Sequence, residues 1–269
     1  MPKRELAGRT VVVTGGAGGI GRALAHRFGS ERTRVAVLDL PSSPLDQATQ
    51  QLHRAGIEAM ALPCDITDPA QVSQAMAAAR DRFGPIDVLI NNAGVTHRSA
   101  FSETQLAVFR RVMEVNFFGA LNCTKACQDD LIASGGLIIV VSSIAGIAPL
   151  YGRTGYSASK HALHGLFESI GAELAGDGVD VLMVCPSFVE SGLEASTMGA
   201  DGRPVDRPRS KVGDLRQPDD VAEAVVKAAR SGRRRLVLTP VGRTSALLSF
   251  LAPRLHQRLM VRALHAELE

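Results

Sequence analysis

Residues 11–21 read Val-Val-Val-Thr-Gly-Gly-Ala-Gly-Gly-Ile-Gly, and Arg22-Ala23-Leu24-Ala25 then open a helical stretch. A β-branched run, a glycine turn and a helix start, in that order, admit few folds. The apolar run suits a strand buried on both faces, and such strands belong to parallel sheets joined by crossover helices. The turn adds a second constraint. Backbone N–H groups at the positive end of a helix can hold a pyrophosphate, provided no Cβ blocks its approach. Gly15, Gly19, Ile20 and Gly21 follow the spacing Gly-x-x-x-Gly-x-Gly, a dinucleotide fingerprint with a lengthened first gap. Taken alone, such a turn can be a mere connector.

The second strand argues for the ligand. Val35-Ala36-Val37-Leu38 ends on Asp39, eighteen residues beyond Gly21. An acid there can accept hydrogen bonds from both hydroxyls of an adenosine ribose and repel a 2′-phosphate. Neither Gly18 nor Leu40 supplies a cation for that phosphate. The cofactor expected is NAD in preference to NADP.

Short apolar runs recur at 11–14, 35–39, 59–64, 88–91, 137–142, 179–185 and 236–239, with helical stretches between them. That alternation predicts an α/β fold with a doubly wound parallel sheet of about seven strands, a Rossmann fold. The 269 residues, 45% of them hydrophobic, can bury a sizeable core, and the element order argues for one domain. We assign it residues 1–242, with a substrate loop at 190–216 and a basic amphipathic helical extension at 243–269. The polar stretch before the first strand does not read as a signal peptide, and no apolar run reaches the ~18 residues of a membrane span.

A separate constellation carries chemistry. Tyr156 and Lys160 stand at i, i+4 on one predicted helix face, with Ser143 thirteen residues upstream of the tyrosine. A fixed cation about 4 Å from a phenol, at an effective dielectric near 20, favours the phenolate by roughly 4 kcal/mol. That equals about three pK units, enough to bring a phenol from near 10 towards neutrality. Tyr-x-x-x-Lys alone also describes an ordinary surface helix, so the pattern gains weight only from its company.

That company makes the chain resemble the short-chain dehydrogenase/reductases, in the branch of about 250 residues with a single Rossmann domain. The matching residues, in order, are Thr14-Gly15-x-x-x-Gly19-Ile20-Gly21, Asp39, Cys64-Asp65-Ile66, Asn91-Asn92-Ala93-Gly94, Val115-Asn116, Ser142-Ser143-x-x-Gly146, Tyr156-x-x-x-Lys160 and Cys185-Pro186-Ser187. They cover about residues 6–240. The resemblance implies Tyr156 as general acid/base and Lys160 as the group that lowers its pKa and binds the nicotinamide ribose. It implies Ser143 as the holder of the substrate oxygen and Asn116 as the anchor of a water linking Lys160 to solvent. Asn92, Ala93 and Gly94 would line the adenosine side, with Asp65 and Ile66 near the adenine. It also implies a homodimer or homotetramer formed through the helices carrying Asn116 and Tyr156.

One stretch departs from the family pattern. Pro-Gly and a later threonine are usual after the sixth strand, whereas this chain has Pro186-Ser187-Phe188-Val189-Glu190-Ser191. Ser191 can still donate a hydroxyl to the nicotinamide amide, and Val189 its backbone. Ser187 is costly only if the site needs positive φ. Met198 to Pro204 reads as a mobile loop, with Phe188, Leu193 and Met198 as a possible apolar lid. Arg203, Arg207, Arg209 and Lys211 are interspersed with Glu194, Asp201, Asp206 and Asp214, as on a solvated loop.

Cys64, Cys123, Cys127 and Cys185 form no C-x-x-C pair and have no histidine at ligand spacing. They read as buried thiols in a reducing cytoplasm, with no metal site. His97, His161 and His164 are not needed for the proton path. From Arg230 onward eight arginines face two glutamates, net +6, which leaves residues 1–229 at −3 of the total +3. Within Ser245 to Leu268, Leu248, Leu251, Leu255 and Leu259 form one helical stripe and Arg254, Arg258 and Arg262 an adjacent one, with Pro253 expected to kink or restart the helix. Such a helix can lie on an anionic membrane, dock on a partner subunit or pack on its own domain. The basic stretch lacks interleaved aromatics, which argues against nucleic acid.

The expected activity is therefore NAD-dependent hydride transfer at an alcohol or carbonyl group of a lipophilic small molecule. Two alternatives remain at this level: a 3-oxoacyl-thioester reductase, and a non-catalytic dinucleotide sensor or scaffold on the same fold.

Overall fold

The computed structural model of the chain describes residues 4–190, 192, 197–205 and 215–268. Its centre is a parallel sheet of β1 (Thr10–Thr14), β2 (Arg34–Asp39), β3 (Ala59–Pro63), β4 (Val88–Asn91), β5 (Leu137–Val141), β6 (Asp180–Cys185) and β7 (Arg235–Val237). Their spatial order is β3-β2-β1-β4-β5-β6-β7, so the winding reverses between β1 and β4. Every expected apolar run becomes a strand. Four runs were drawn too long: Cys64 and Ser142 lie just past β3 and β5, Val179 just before β6, and Leu238 and Thr239 beyond β7.

Helices cover both faces. On one lie α1 (Gly19–Gly29), α2 (Leu45–Arg54) and α7 (Pro218–Arg230), closing over Val11, Val13, Val35 and Val37 with Leu24, Phe28, Leu52 and Val225. On the other lie α3 (Pro69–Phe83), α5 (Gly119–Ser134) and α6 (Thr154–Glu173), which close over Val12, Ala36, Leu89 and Ile138 with Met76, Leu131 and Phe167. Alternate residues of one strand thus serve two cores, which is why the strands read as unbroken hydrophobic runs. Local signals set the helix ends. Asp68 caps α3 by accepting from the N–H of Ala70 at 2.9 Å, and Pro69 takes the first helical position.

Between α4 (Leu106–Met113) and α5 the helix widens into a π turn over Glu114–Phe118, with Asn116 at its middle. Such turns are frequent at functional sites. Beyond β7, α8 (Pro240–Leu251) and α9 (Pro253–Leu264) form a hairpin, and a short 3₁₀ turn follows over His265–Glu267. Pro253 restarts the helix, and the boundary drawn at 242/243 falls inside α8.

Candidate active site

At the carboxyl edge, the reversal of winding opens a cleft of about 710 Å³. Gly15, Gly19, Ile20, Asp39, Asp65, Ile66, Asn92, Ala93, Gly94, Ser143, Tyr156, Lys160, Pro186 and Val189 all line it. Ser191 lies outside the described residues, as do Leu193, Glu194, Asp206, Arg207, Arg209, Lys211 and Asp214. Gly21 and Asn116 stand behind the wall rather than in it.

The glycine turn is built for close approach. Gly15 has φ +63°, a left-handed backbone that glycine adopts without strain. A Cβ on Gly21 would run into the carbonyl oxygen of Gly15 and the amide nitrogen of Asn92. Asn92 fastens the turn to β4, its Nδ2 donating to the carbonyls of Thr14 (2.9 Å) and Gly15 (3.1 Å). The Thr14 hydroxyl accepts from the N–H groups of Asn92 (3.0 Å) and Ala93 (3.1 Å). Asp39 is pinned beside it. One carboxylate oxygen accepts from the Ala17 N–H at 2.9 Å and the other from the Leu40 N–H at 2.8 Å. Each oxygen retains acceptor capacity towards the cleft. A glycine cradle at a helix N-terminus with a fixed carboxylate beside it fits the adenosine half of a dinucleotide.

The other end of the cleft holds Ser143, Tyr156 and Lys160. Ser143 caps a short 3₁₀ turn after β5, its Oγ accepting from the Ala145 N–H at 3.1 Å. Tyr156 and Lys160 project from the first turns of α6, and the lysine nitrogen lies 5.7 Å from the tyrosine ring centroid. Lys160 Nζ donates to the Val141 carbonyl at 2.9 Å. Burial pushes the Tyr156 phenol up from its ordinary value, against the downward pull of a hydrogen bond with Ser143 and the charge of Arg153. Burial likewise brings Lys160 down to about 8.

Asn116 binds the loop after β4 to α6, the helix that carries Tyr156. Its Oδ1 accepts from the Val95 N–H at 2.8 Å, and its Nδ2 donates to the Val95 carbonyl at 3.0 Å and the Ser159 hydroxyl at 2.9 Å. Both amide hydrogens are therefore used. The unusual Ser187 is accommodated: Arg32 is the one non-glycine with positive φ among the described residues. Ser187 Oγ instead accepts from Thr239 Oγ1 at 3.0 Å.

Three features escaped the sequence. Arg98 and Arg153, which line the cleft, converge on the buried Glu267 from beyond α9, at 3.9 and 2.5 Å. His97 is fully buried, and its Nε2 accepts from the Gly155 N–H at 2.9 Å, holding the start of α6. Thr197 to Val205, expected to be mobile through Met198–Pro204, is pinned along Thr96–Arg98: Met198 N–H donates to the Thr96 carbonyl at 3.0 Å and Arg98 N–H to the Met198 carbonyl at 2.8 Å. Arginines paired across such sequence distances carry no local signal.

The sequence pattern of the short chain dehydrogenases matches residues 9–200. The chain belongs to that family, and it is an oxidoreductase acting on CH–OH or carbonyl groups. It is 31% identical to the rat protein named dehydrogenase/reductase SDR family member 7B over 266 residues, 96% of this chain and 82% of that one. It is 32% identical to the ketoacyl reductase HetN of Nostoc over 87% of this chain and 79% of that one. Among solved structures, a Burkholderia phymatum short-chain dehydrogenase/reductase in complex with NAD superimposes with a TM-score of 0.83 at 25% identity, covering 94% of this chain and 96% of that one. An actinorhodin polyketide ketoreductase with NADPH gives 0.76 at 29% identity, over 88% and 97%. Proteins of this class bind nicotinamide dinucleotides.

Proposed function

We propose that the chain moves a hydride between NAD(H) and the alcohol or carbonyl carbon of a lipophilic substrate, with Tyr156 as general acid/base. The observation that carries this reading is the convergence of Ser143, Tyr156 and Lys160 at one end of a cleft whose other end holds the pinned Asp39. Gly15, Gly19, Ile20 and Gly21 form the pyrophosphate cradle, Asp39 accepts from the ribose, and Asp65, Ile66, Asn92, Ala93 and Gly94 wall the adenosine side. Pro186, Val189 and Ser191 orient the nicotinamide end, where the bound cofactor supplies or accepts the hydride.

The protein handles the proton. Ser143 holds the substrate oxygen and Tyr156 gives or takes its proton. Lys160, still charged at neutral pH, stabilises the phenolate once it turns from Val141 towards the phenol. Because the Asn116 amide hydrogens are already engaged, the water of the proton path is held by the remaining oxygen acceptors of that residue. Val95, Leu150, Phe188 and Val189 line the substrate end and favour an apolar ligand. An apolar groove between α5 and α6, lined by Leu121, Leu166 and Ile170, is the face we assign to the subunit contact.

Tyr156→Phe tests the reading. Turnover of a secondary alcohol with NAD should fall by about two to four orders of magnitude, with NADH affinity unchanged. Retained turnover would remove Tyr156 from the chemistry. A second reading, a 3-oxoacyl-thioester reductase, is favoured by the likeness to the Nostoc ketoacyl reductase and by the exposed Arg111 along the cleft, which suits an anionic carrier. Asp39 weighs against its usual NADPH. Measuring turnover of both substrate classes with both cofactors separates the two.

A further inference from the structure

We propose that the α8–α9 hairpin is a docking surface for a phospholipid bilayer bearing anionic headgroups. The inference rests on side chains outside the active site and stands whichever substrate the cleft accepts. Val241, Leu247, Phe250, Leu251, Leu255 and Leu259 are 45 to 84% exposed, with Phe250 the most exposed of them. Six of the ten exposed large hydrophobic residues among the described part thus fall within nineteen positions. Apolar surface gathered in this way marks an interaction site rather than ordinary surface scatter.

The arrangement is ordered. Leu247, Phe250 and Leu251 stand at i, i+3 and i+4 on one face of α8, and Leu255 and Leu259 at i, i+4 on α9. Leu251 and Leu255 flank the Pro253 joint between the two helices. The inner side of the hairpin is already closed by the Ser245 hydroxyl bonded to His256 Nε2 at 3.0 Å and by the buried Leu264. The outward leucines are therefore surplus to its own packing.

Charge decides what covers them. Arg243, Arg254, Arg258 and Arg262 are exposed, and neither helix carries an acidic residue. Arg254 and Arg258 directly precede Leu255 and Leu259, so a guanidinium borders each apolar knob and can reach upward while its stem lies along the hydrocarbon. A basic face with leucine and phenylalanine beside it is the pattern that settles into the headgroup region of anionic membranes. A second copy of the same surface would set arginine against arginine, which disfavours a symmetric pairing. No helix among the described residues is long and apolar enough to cross a membrane. Both ends of the hairpin meet the cleft, Thr239 through Ser187 and Glu267 through Arg153. Docking therefore holds the substrate end beside the lipid.

The test is co-sedimentation of the full chain with vesicles of phosphatidylcholine alone and with added phosphatidylserine, at low and high salt. Binding should be at least about tenfold tighter to the anionic vesicles and weaken with salt. Phe250→Ser and the pair Arg254→Gln with Arg258→Gln should each reduce it by about tenfold or more. The melting temperature and NADH affinity of these variants should stay as in the parent, because the altered side chains are exposed and distant from the cofactor cradle. No binding to either vesicle overturns the proposal, as does binding that Phe250→Ser leaves unchanged. A dimer in solution that Phe250→Ser dissociates would assign the face to a second copy instead.

Discussion

Glu267 places its carboxylate 2.5 Å from the guanidinium of Arg153, the residue that starts the helix carrying Tyr156. The same carboxylate lies 3.9 Å from Arg98, in the loop after β4. Segments far apart in sequence thus meet around one buried charge at the substrate end. Removing that charge takes away the carboxylate that the two buried guanidinium groups share. Glu267→Gln should cost about 3 kcal/mol of folding stability, read by urea denaturation. A loss below about 0.5 kcal/mol, the level of an exposed pair, would mean that the triad holds nothing together.

Asp39 should set cofactor choice as a carboxylate rather than as a hydrogen-bonding turn residue. Asp39→Asn keeps an acceptor for the Ala17 or Leu40 N–H but removes the charge. NADH affinity should fall by about tenfold, or 1.4 kcal/mol, while NADPH affinity rises or stays level. Fluorescence titration with both cofactors reads the ratio, and an unchanged ratio would detach Asp39 from the ribose.

Lys160 is buried with its pKa lowered to about 8 from an ordinary 10.5. Below about 8 it is charged both folded and unfolded, so the burial penalty is present in full at neutral pH. From there to 10.5 the unfolded chain binds more protons than the folded one, and stability contributed by this site rises with pH. Lys160→Met should therefore abolish turnover yet raise the melting temperature at pH 7. A lower melting temperature would show that the bond to the Val141 carbonyl outweighs the cost of burial.

His97 behaves in the acid range. Burial, with the charge of Arg153, lowers it from 6.5 to about 4. As pH falls through this window the unfolded chain takes a proton that the folded chain refuses, so stability drops between 6.5 and about 4. His97→Gln should flatten that limb in urea titrations across the window. An undiminished slope would place the acid sensitivity elsewhere.

The strands were legible because each serves two cores and so reads as unbroken Val, Ile and Leu. The site residues were legible wherever the chemistry is local: a glycine turn before a helix, an acid closing a strand, a tyrosine one helical turn before a lysine. What sequence could not show depends on distance. Glu267 stands 114 residues from Arg153. The stretch Met198–Pro204 has the composition of a free loop, yet its backbone pairs with Thr96–Arg98. The upward shift of the Tyr156 phenol follows from its burial, which depends on how distant segments pack around it.

The reversal of winding between β1 and β4 also divides labour along the chain. The end we assign to adenosine is framed by turns after β1, β2, β3 and β4, whereas much of the end we assign to the substrate is framed by segments after β5 and β6. Substitutions or grafts in the latter can reshape what is recognised without rebuilding what delivers reducing power. Such a molecule is modular in the way a tool with exchangeable bits is modular, and its sheet is the handle.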